Sequence, residues 1–251
     1  MFNAVDEKNK IIEFIRNYYE ENNLGGAVIG ISGGKDSGVV AGLFSEAIGP
    51  ENVLGVWMPC RSSDKDYEDA KSVASKYGFK LIYFGLGNVY DTFKSEVNKL
   101  GSFSEDEIRN SDMNIKPRLR MASLYYLAAL YSSLENKTYV VVGTGNKSEI
   151  YVGYYTKGGD NVSDINVLAD LTVEEVIKIG EVIGVPESVL YKTPEDGLSG
   201  MTDEEKLGVT YSDIQKVIYG EEVDKDTYEK IEKLHKNNLH KLNVVVYKRW
   251  K

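Results

Sequence analysis

The chain has 251 residues, 42% hydrophobic and 27% charged, with a formal net charge of −9 and a single cysteine, Cys60. This composition suits one large soluble α/β unit and excludes fibrous and disordered classes; the acidic balance argues against a general nucleic-acid binder, and one cysteine permits neither an internal disulfide nor a multi-cysteine zinc site. Met1 to Glu7 lacks a basic start followed by an apolar core, and no later apolar run approaches membrane length, so a cytoplasmic protein without a membrane partner is expected.

Residues 10–22 are predicted to form an amphipathic helix, with Ile11, Ile12, Phe14 and Ile15 on its apolar side and Gly25-Gly26 beyond its end. Four apolar segments read as strands: 27–31, 53–58, 80–84 and 139–142. Helical spacing of apolar residues follows Asp36 until Gly49-Pro50 and recurs over 67–77 and 118–134. Alternating strands and helices imply a doubly wound parallel sheet with helices on both faces and ligands at the carboxyl ends of the strands. The chain is expected to be one domain, with a nucleotide-binding core over about 1–190 and a mobile loop and helical tail over 191–251, the stretch 194–208 being rich in turn formers and acids.

The turn Gly30-Ile31-Ser32-Gly33-Gly34-Lys35-Asp36-Ser37 stands where the first strand hands over to a helix. Glycine permits positive φ and close approach of backbone amides to phosphate oxygens, and a helix N-terminus favours an anion. Phosphate repels Asp36 unless a divalent cation lies between them, so its best role is on Mg²⁺. This is not the Walker arrangement, because the lysine precedes Asp-Ser rather than Ser or Thr. A second strand end carries Gly143-Thr144-Gly145-Asn146-Lys147-Ser148-Glu149. If its strand neighbours the first, Glu149 can share the cation with Asp36 and Thr144 can touch the nucleotide.

Gly153 to Asp160, then Asp164, combine aromatic, hydroxyl, lysine and acid groups, and Arg120 in Pro117-Arg118-Leu119-Arg120-Met121 suits a carboxylate or phosphate. Taken singly, Gly143 to Glu149 also reads as a capped helix start, Gly153 to Asp164 as a solvated loop and Arg120 as a helix-surface charge. Cys60 as a nucleophile is disfavoured, because the only histidines, His235 and His240, lie far along the chain.

Together, SGGKDS, PRLRM, GTGNKSE, GYYTKGGD, TDEEKLGVTY and a late HKLN resemble, in order and over nearly the whole chain, the ammonia-dependent NAD synthases of the N-type ATP pyrophosphatases. The resemblance implies adenylation of the nicotinate carboxylate of deamido-NAD by ATP with release of pyrophosphate, then attack by ammonia to give NAD and AMP. It implies that Gly30 to Ser37 and Thr144 bind ATP, that Asp36 and Glu149 bind Mg²⁺, and that Arg120, Lys157, Asp164, His240 and Lys241 contact deamido-NAD. No side-chain nucleophile is implied. It also implies a homodimer with the dinucleotide at the subunit interface, and with no nitrilase-like region present, ammonia is expected from solution or a separate protein.

Two positions depart from the family pattern. Val173 stands where a phosphate-binding lysine is usual, and Glu195 stands where a hydroxyl is usual; Lys192 is the expected substitute cation. Two further readings are another carboxylate-adenylating amide ligase of the same superfamily and a nucleotide-binding regulator with weak turnover.

Overall fold

The computed structural model describes residues 2–61, 64–193, 202–242 and 247. Helix α1 is Ala4–Glu21, six positions longer at its start than the apolar spacing predicts. Asn3 extends it by capping: its side-chain oxygen accepts from Val5 N at 3.1 Å and Asp6 N at 3.3 Å. Strand β1, Leu24–Gly30, takes in Gly25 and Gly26. These are not mere breakers, since a Cβ on Gly26 would lie 2.3 Å from the Tyr139 ring.

Helix α2 (Lys35–Ile48), a 3-10 turn (Pro50–Asn52), β2 (Val53–Trp57), α3 (Asp64–Tyr77) and β3 (Lys80–Tyr83) follow. Next come α4 (Gly87–Asn98), α5 (Glu105–Glu135), β4 (Thr138–Val142) and α6 (Lys147–Val152). Helices α7 (Val173–Ile183), α8 (Glu187–Leu190), α9 (Asp203–Leu207), α10 (Tyr211–Tyr219) and α11 (Lys225–Leu242) complete the described chain.

Helix α4 went unpredicted because only Tyr90 on it is buried, leaving little apolar signal. Helix α5 was expected over 118–134 but spans 31 residues with Pro117 inside. Proline in a helix interior removes a backbone donor and costs about 3 kcal/mol. Here Pro117 is packed from outside: its Cβ lies 2.9 Å from where a Gly159 Cβ would be. The helix begins on a capping box, Glu107 N donating to Ser104 Oγ at 3.3 Å and Ser104 N to Glu107 Oε2 at 2.8 Å.

The four strands are all parallel, in the order β3-β2-β1-β4. Val28 pairs with Leu54 on one side and with Val141 on the other. The chain steps outward from β1 to β3, then returns to the free edge of β1 as β4. The reversal opens a crevice between the carboxyl ends of β1 and β4. Beyond β4 the chain doubles back, and Ile165 bridges to Val142, with Gly143 N donating to Ile165 O at 2.8 Å.

Helices lie on both faces, as expected. Ile15, Ile29, Leu43, Phe44, Leu168 and Ile179 form a dry layer under α1, α2 and α7. On the opposite face Val28, Leu54, Leu86, Leu127 and Val141 pack beneath α5. A third cluster joins Val152 and Val173 to Val209, Tyr211, Ile214 and Ile231 of the C-terminal elements. Each fully buried aliphatic side chain contributes roughly 1.5–3 kcal/mol. The sheet is therefore held rigid from both faces, and its carboxyl edge is left to loops.

Candidate active site

The turn after β1 is organised by its own hydroxyls. Ser32 N donates to Ser37 Oγ at 3.2 Å, Ser37 Oγ donates to Gly34 O at 3.0 Å, and Gly34 N donates to Ser32 Oγ at 3.2 Å. Gly33 has φ +79°, and a Cβ there would lie 2.5 Å from the Asp66 carbonyl oxygen. Glycine is thus required twice, for backbone conformation and for the closeness of α3. Gly34 caps α2 with no side-chain hydrogen bond to the helix amides, which leaves the amide end open for an anion.

Across the crevice, Asn146 starts α6 with a second capping box: Glu149 N donates to Asn146 Oδ1 and Asn146 N to Glu149 Oε2, each at 3.0 Å. The Asn146 side chain is fully buried, and its amide donates to Asp36 Oδ1 at 3.1 Å. One asparagine therefore ties the acid of the first strand end to the acid of the second. A cavity of about 430 Å³ opens here, lined by Ser32, Gly34, Asp36 and Ser37 on one side and Thr144, Gly145 and Glu149 on the other. Tyr154, Tyr155, Asp160 and Asn166 continue its wall.

The electrostatics are those of crowded acids. Burial first, and Asp36 second, push the Glu149 carboxyl up to about 8. Lys35 lies inward rather than over the crevice: it is 7% exposed, its Nζ is 3.0 Å from Asp36 Oδ2, and it sits over the Tyr211 ring at 5.9 Å. Burial disfavours its charge, but Asp36 and Glu149 outweigh that and hold its pKa above the usual lysine value. Among the described residues no group of three or more His, Cys, Asp or Glu can hold a metal ion. Asp36 and Glu149 both bring carboxylate oxygens to this cavity, the hard donor type that Mg²⁺ takes.

Of the predicted dinucleotide residues, Lys157, His240 and Lys241 gather at the loop 153–160, while Arg120 and Asp164 are held elsewhere, against Met58 and Val141. Arg118 donates to Lys157 O at 3.1 and 3.2 Å, and Lys157 Nζ donates to His240 O at 2.6 Å. Lys241 Nζ donates to Gly153 O at 2.6 Å and Tyr155 O at 3.0 Å. The end of α11 is thereby gathered onto the loop, bringing Lys157, His240 and Lys241 together. Arg120 Nε donates to Met58 O at 3.3 Å, at the carboxyl end of β2. Asp164 accepts from Val141 N at 2.8 Å and from Tyr125 Oη at 3.1 Å, which fixes the returning chain against β4.

Asn166 on the wall and Asn146, which bonds Asp36, were not assigned as site residues by sequence reasoning, whereas Tyr155 and Asp160 lie in the stretch 153–160 that it singled out. The cap at Asn146 was legible as N-x-x-E, but its bond to Asp36 depends on strand order. Asn166 donates to Gly145 O at 2.9 Å, a contact made only because the chain doubles back. Val173 is 7% exposed within the third apolar cluster. Lys192 Nζ lies 2.6 Å from both Asp66 Oδ1 and Asp69 Oδ2. Glu195 and most of the expected mobile loop fall outside the described residues.

Comparison with known proteins agrees with the motif order. Residues 7–245 match the family model described as NAD synthase. The chain is 44% identical over 216 residues to an NH(3)-dependent NAD(+) synthetase of Methanococcoides burtonii, covering 85% of this chain and 78% of that one. It is 41% identical to the protein of the same description from Alkaliphilus metalliredigens, covering 92% and 93% of the two chains. Among solved structures, the NMN synthetase from Francisella tularensis superposes with a TM-score of 0.88 at 28% identity over all of both chains.

Proposed function

The chain belongs to the NAD synthase family, whose NH(3)-dependent members are ligases, and from that premise we propose that it amidates deamido-NAD with ammonia at the expense of ATP. The observation that carries this reading is the bond from Asn146 to Asp36, which joins two acid-bearing turns 110 positions apart at the mouth of one cavity.

A carboxylate is a poor acyl donor until its oxygen becomes part of a leaving group. In this proposal the substrate carboxylate attacks the α-phosphorus of ATP, pyrophosphate departs, and ammonia then displaces AMP from the acyl adenylate. Ser32 to Ser37 and the open amides of α2 hold the phosphates, and Thr144 reaches the nucleotide from the facing turn. Asp36 and Glu149 would hold Mg²⁺, which when bound supplies positive charge to the departing pyrophosphate. Arg120, Lys157, Asp164, His240 and Lys241 are assigned to the dinucleotide. Catalysis rests on positioning and charge, without a protein nucleophile.

We further propose a cytoplasmic homodimer. Tyr126, Leu130 and Leu134 are 67%, 48% and 71% exposed and follow one another at four-residue steps on α5. Such a stripe suits a partner helix face.

A second reading concerns only the acceptor. The TM-score of 0.88 with an NMN synthetase favours a test of nicotinate mononucleotide beside deamido-NAD. Purified protein should be given ATP, Mg²⁺, ammonium and each acid in turn, with AMP, pyrophosphate and the amide followed together. Equal amounts of all three with deamido-NAD are expected; turnover confined to the mononucleotide would establish the second reading. Turnover with neither acid would overturn both.

A further inference from the structure

Lys35 stands between two residues of the glycine turn, yet its side chain is turned inward. Gly34 and Asp36 line the cavity, whereas the Lys35 side chain is 7% exposed and sets its ammonium 3.0 Å from Asp36 Oδ2. The other oxygen of that carboxylate, Oδ1, accepts from the Asn146 amide at 3.1 Å. Both oxygens of Asp36 are thus engaged from within the chain. Glu149 is tied to the same asparagine, its Oε2 accepting from Asn146 N at 3.0 Å.

The seat of Lys35 is a built one. Its ammonium lies 5.9 Å from the centre of the Tyr211 ring, which is itself buried, and the face of such a ring attracts a cation. The Tyr211 hydroxyl donates to Asp203 Oδ2 at 3.4 Å, and Tyr154 Oη donates from the cavity wall to Asp203 Oδ1 at 2.9 Å. Two carboxylates gathered at one asparagine repel each other, and a fixed positive charge beside them offsets that repulsion. A divalent cation on the same carboxylates would offset it too. Lys35 and such a cation are then like charges sharing one acid, and in a partly buried site their repulsion weakens binding by more than about tenfold.

We propose that Lys35 is a resident counter-charge for the metal carboxylates: it holds Asp36 and Glu149 together when no divalent cation is bound, and it keeps cation affinity low until the phosphates of a nucleotide add compensating negative charge. The inference rests on the assignment of Asp36 and Glu149 to a divalent cation. Its consequence is that Mg²⁺ binds with ATP and not ahead of it. A lysine that merely propped Asp36 in place would act in the opposite sense, since its loss would leave the ligand poorly oriented and the cation more weakly held.

Calorimetric titration of the nucleotide-free, full-length protein with Mn²⁺ alone separates the two roles. Lys35→Met and Lys35→Gln both remove the charge, and the glutamine keeps a hydrogen-bond donor. Each should bind Mn²⁺ about tenfold to a hundredfold more tightly than wild type. Lys35→Arg should stay at the wild-type value, and adding Asp36→Asn should abolish the gain. In chelator the neutral variants should melt below wild type, because the acids have lost their partner, and saturating Mn²⁺ should raise their melting temperature by more than it raises that of wild type. Equal or weaker Mn²⁺ binding in the neutral variants would overturn the proposal, as would a gain that survives Asp36→Asn. Should the neutral variants fail to fold, wild type decides: a non-hydrolysable ATP analogue must tighten Mn²⁺ binding at least about tenfold, and equal affinity with and without it overturns the proposal. None of these titrations contains a nicotinate substrate or counts turnover, so failure of the amidation reading would show separately in the turnover assay.

Discussion

Asn146 is the residue on which the site geometry converges. It has no chemistry of its own, yet it caps α6, receives Glu149 in return and donates to Asp36. Asn146→Ala is expected to lower kcat/KM by about 10- to 100-fold, the usual cost of losing a partner that orients a metal ligand, which is the role proposed for Asp36 and Glu149. Asn146→Asp keeps the helix cap but loses the donor to Asp36, so a similar loss in steady-state kinetics would show that orientation, not capping, is what matters. Glu149 carries a pH signature. Its folded pKa of about 8 lies above the ordinary 4.5, so the stability it contributes is fully present below 4.5 and is lost as pH rises through 8. In metal-free protein the melting temperature should fall by a few degrees across that window. Glu149→Gln should flatten the fall, as thermal denaturation in chelator at stepped pH will show.

At the scale of the element, capping explains why short helices stand where they do. Thr172 is fully buried at the head of α7, where its hydroxyl bonds Glu175 at 3.1 Å and also meets Gln215, while Tyr219 Oη donates to Glu175 at 2.8 Å. Thr172→Val keeps the shape but leaves those buried groups short of a partner. A loss of about 1–3 kcal/mol is expected in denaturant unfolding. The box from Asn146 to Glu149 was readable in advance as a capped helix start, because a cap is a local pattern. The strands were readable for a similar reason: 27–31 and 139–142 are continuous apolar runs of the kind that parallel sheets bury on both faces. What escaped was set at long range. The first half of α5 was hidden because Pro117 normally ends a helix, and only the packing of Gly159 against it shows why it does not. Lys192 could be named from sequence, but nothing local indicates that Asp66 and Asp69 surround it.

For the whole molecule, the parallel sheet explains how distant segments come to share one cavity. The return of β4 to the open edge of β1 brings Thr144 and Glu149 opposite Ser32 and Asp36, and the third apolar cluster anchors α10 and α11 to the same end. The proposed dimer belongs to this scale. Replacing Leu130 and Leu134 together by Asp should yield a monomer in analytical ultracentrifugation. It should also raise KM for the dinucleotide at least several-fold while leaving ATP affinity unchanged; a dimer that persists through the double substitution would rule out this face. The chemistry was written in local sequence: glycines beside hydroxyls at a strand end, and acids one turn into the helices that follow. Those features depend on backbone conformation and capping, which act over a few residues. The pairing of Asp36 with Glu149 through Asn146 and the burial that raises Glu149 depend on which strand lies next to which. That choice follows from burying two apolar faces at once, and only the folded chain decides it.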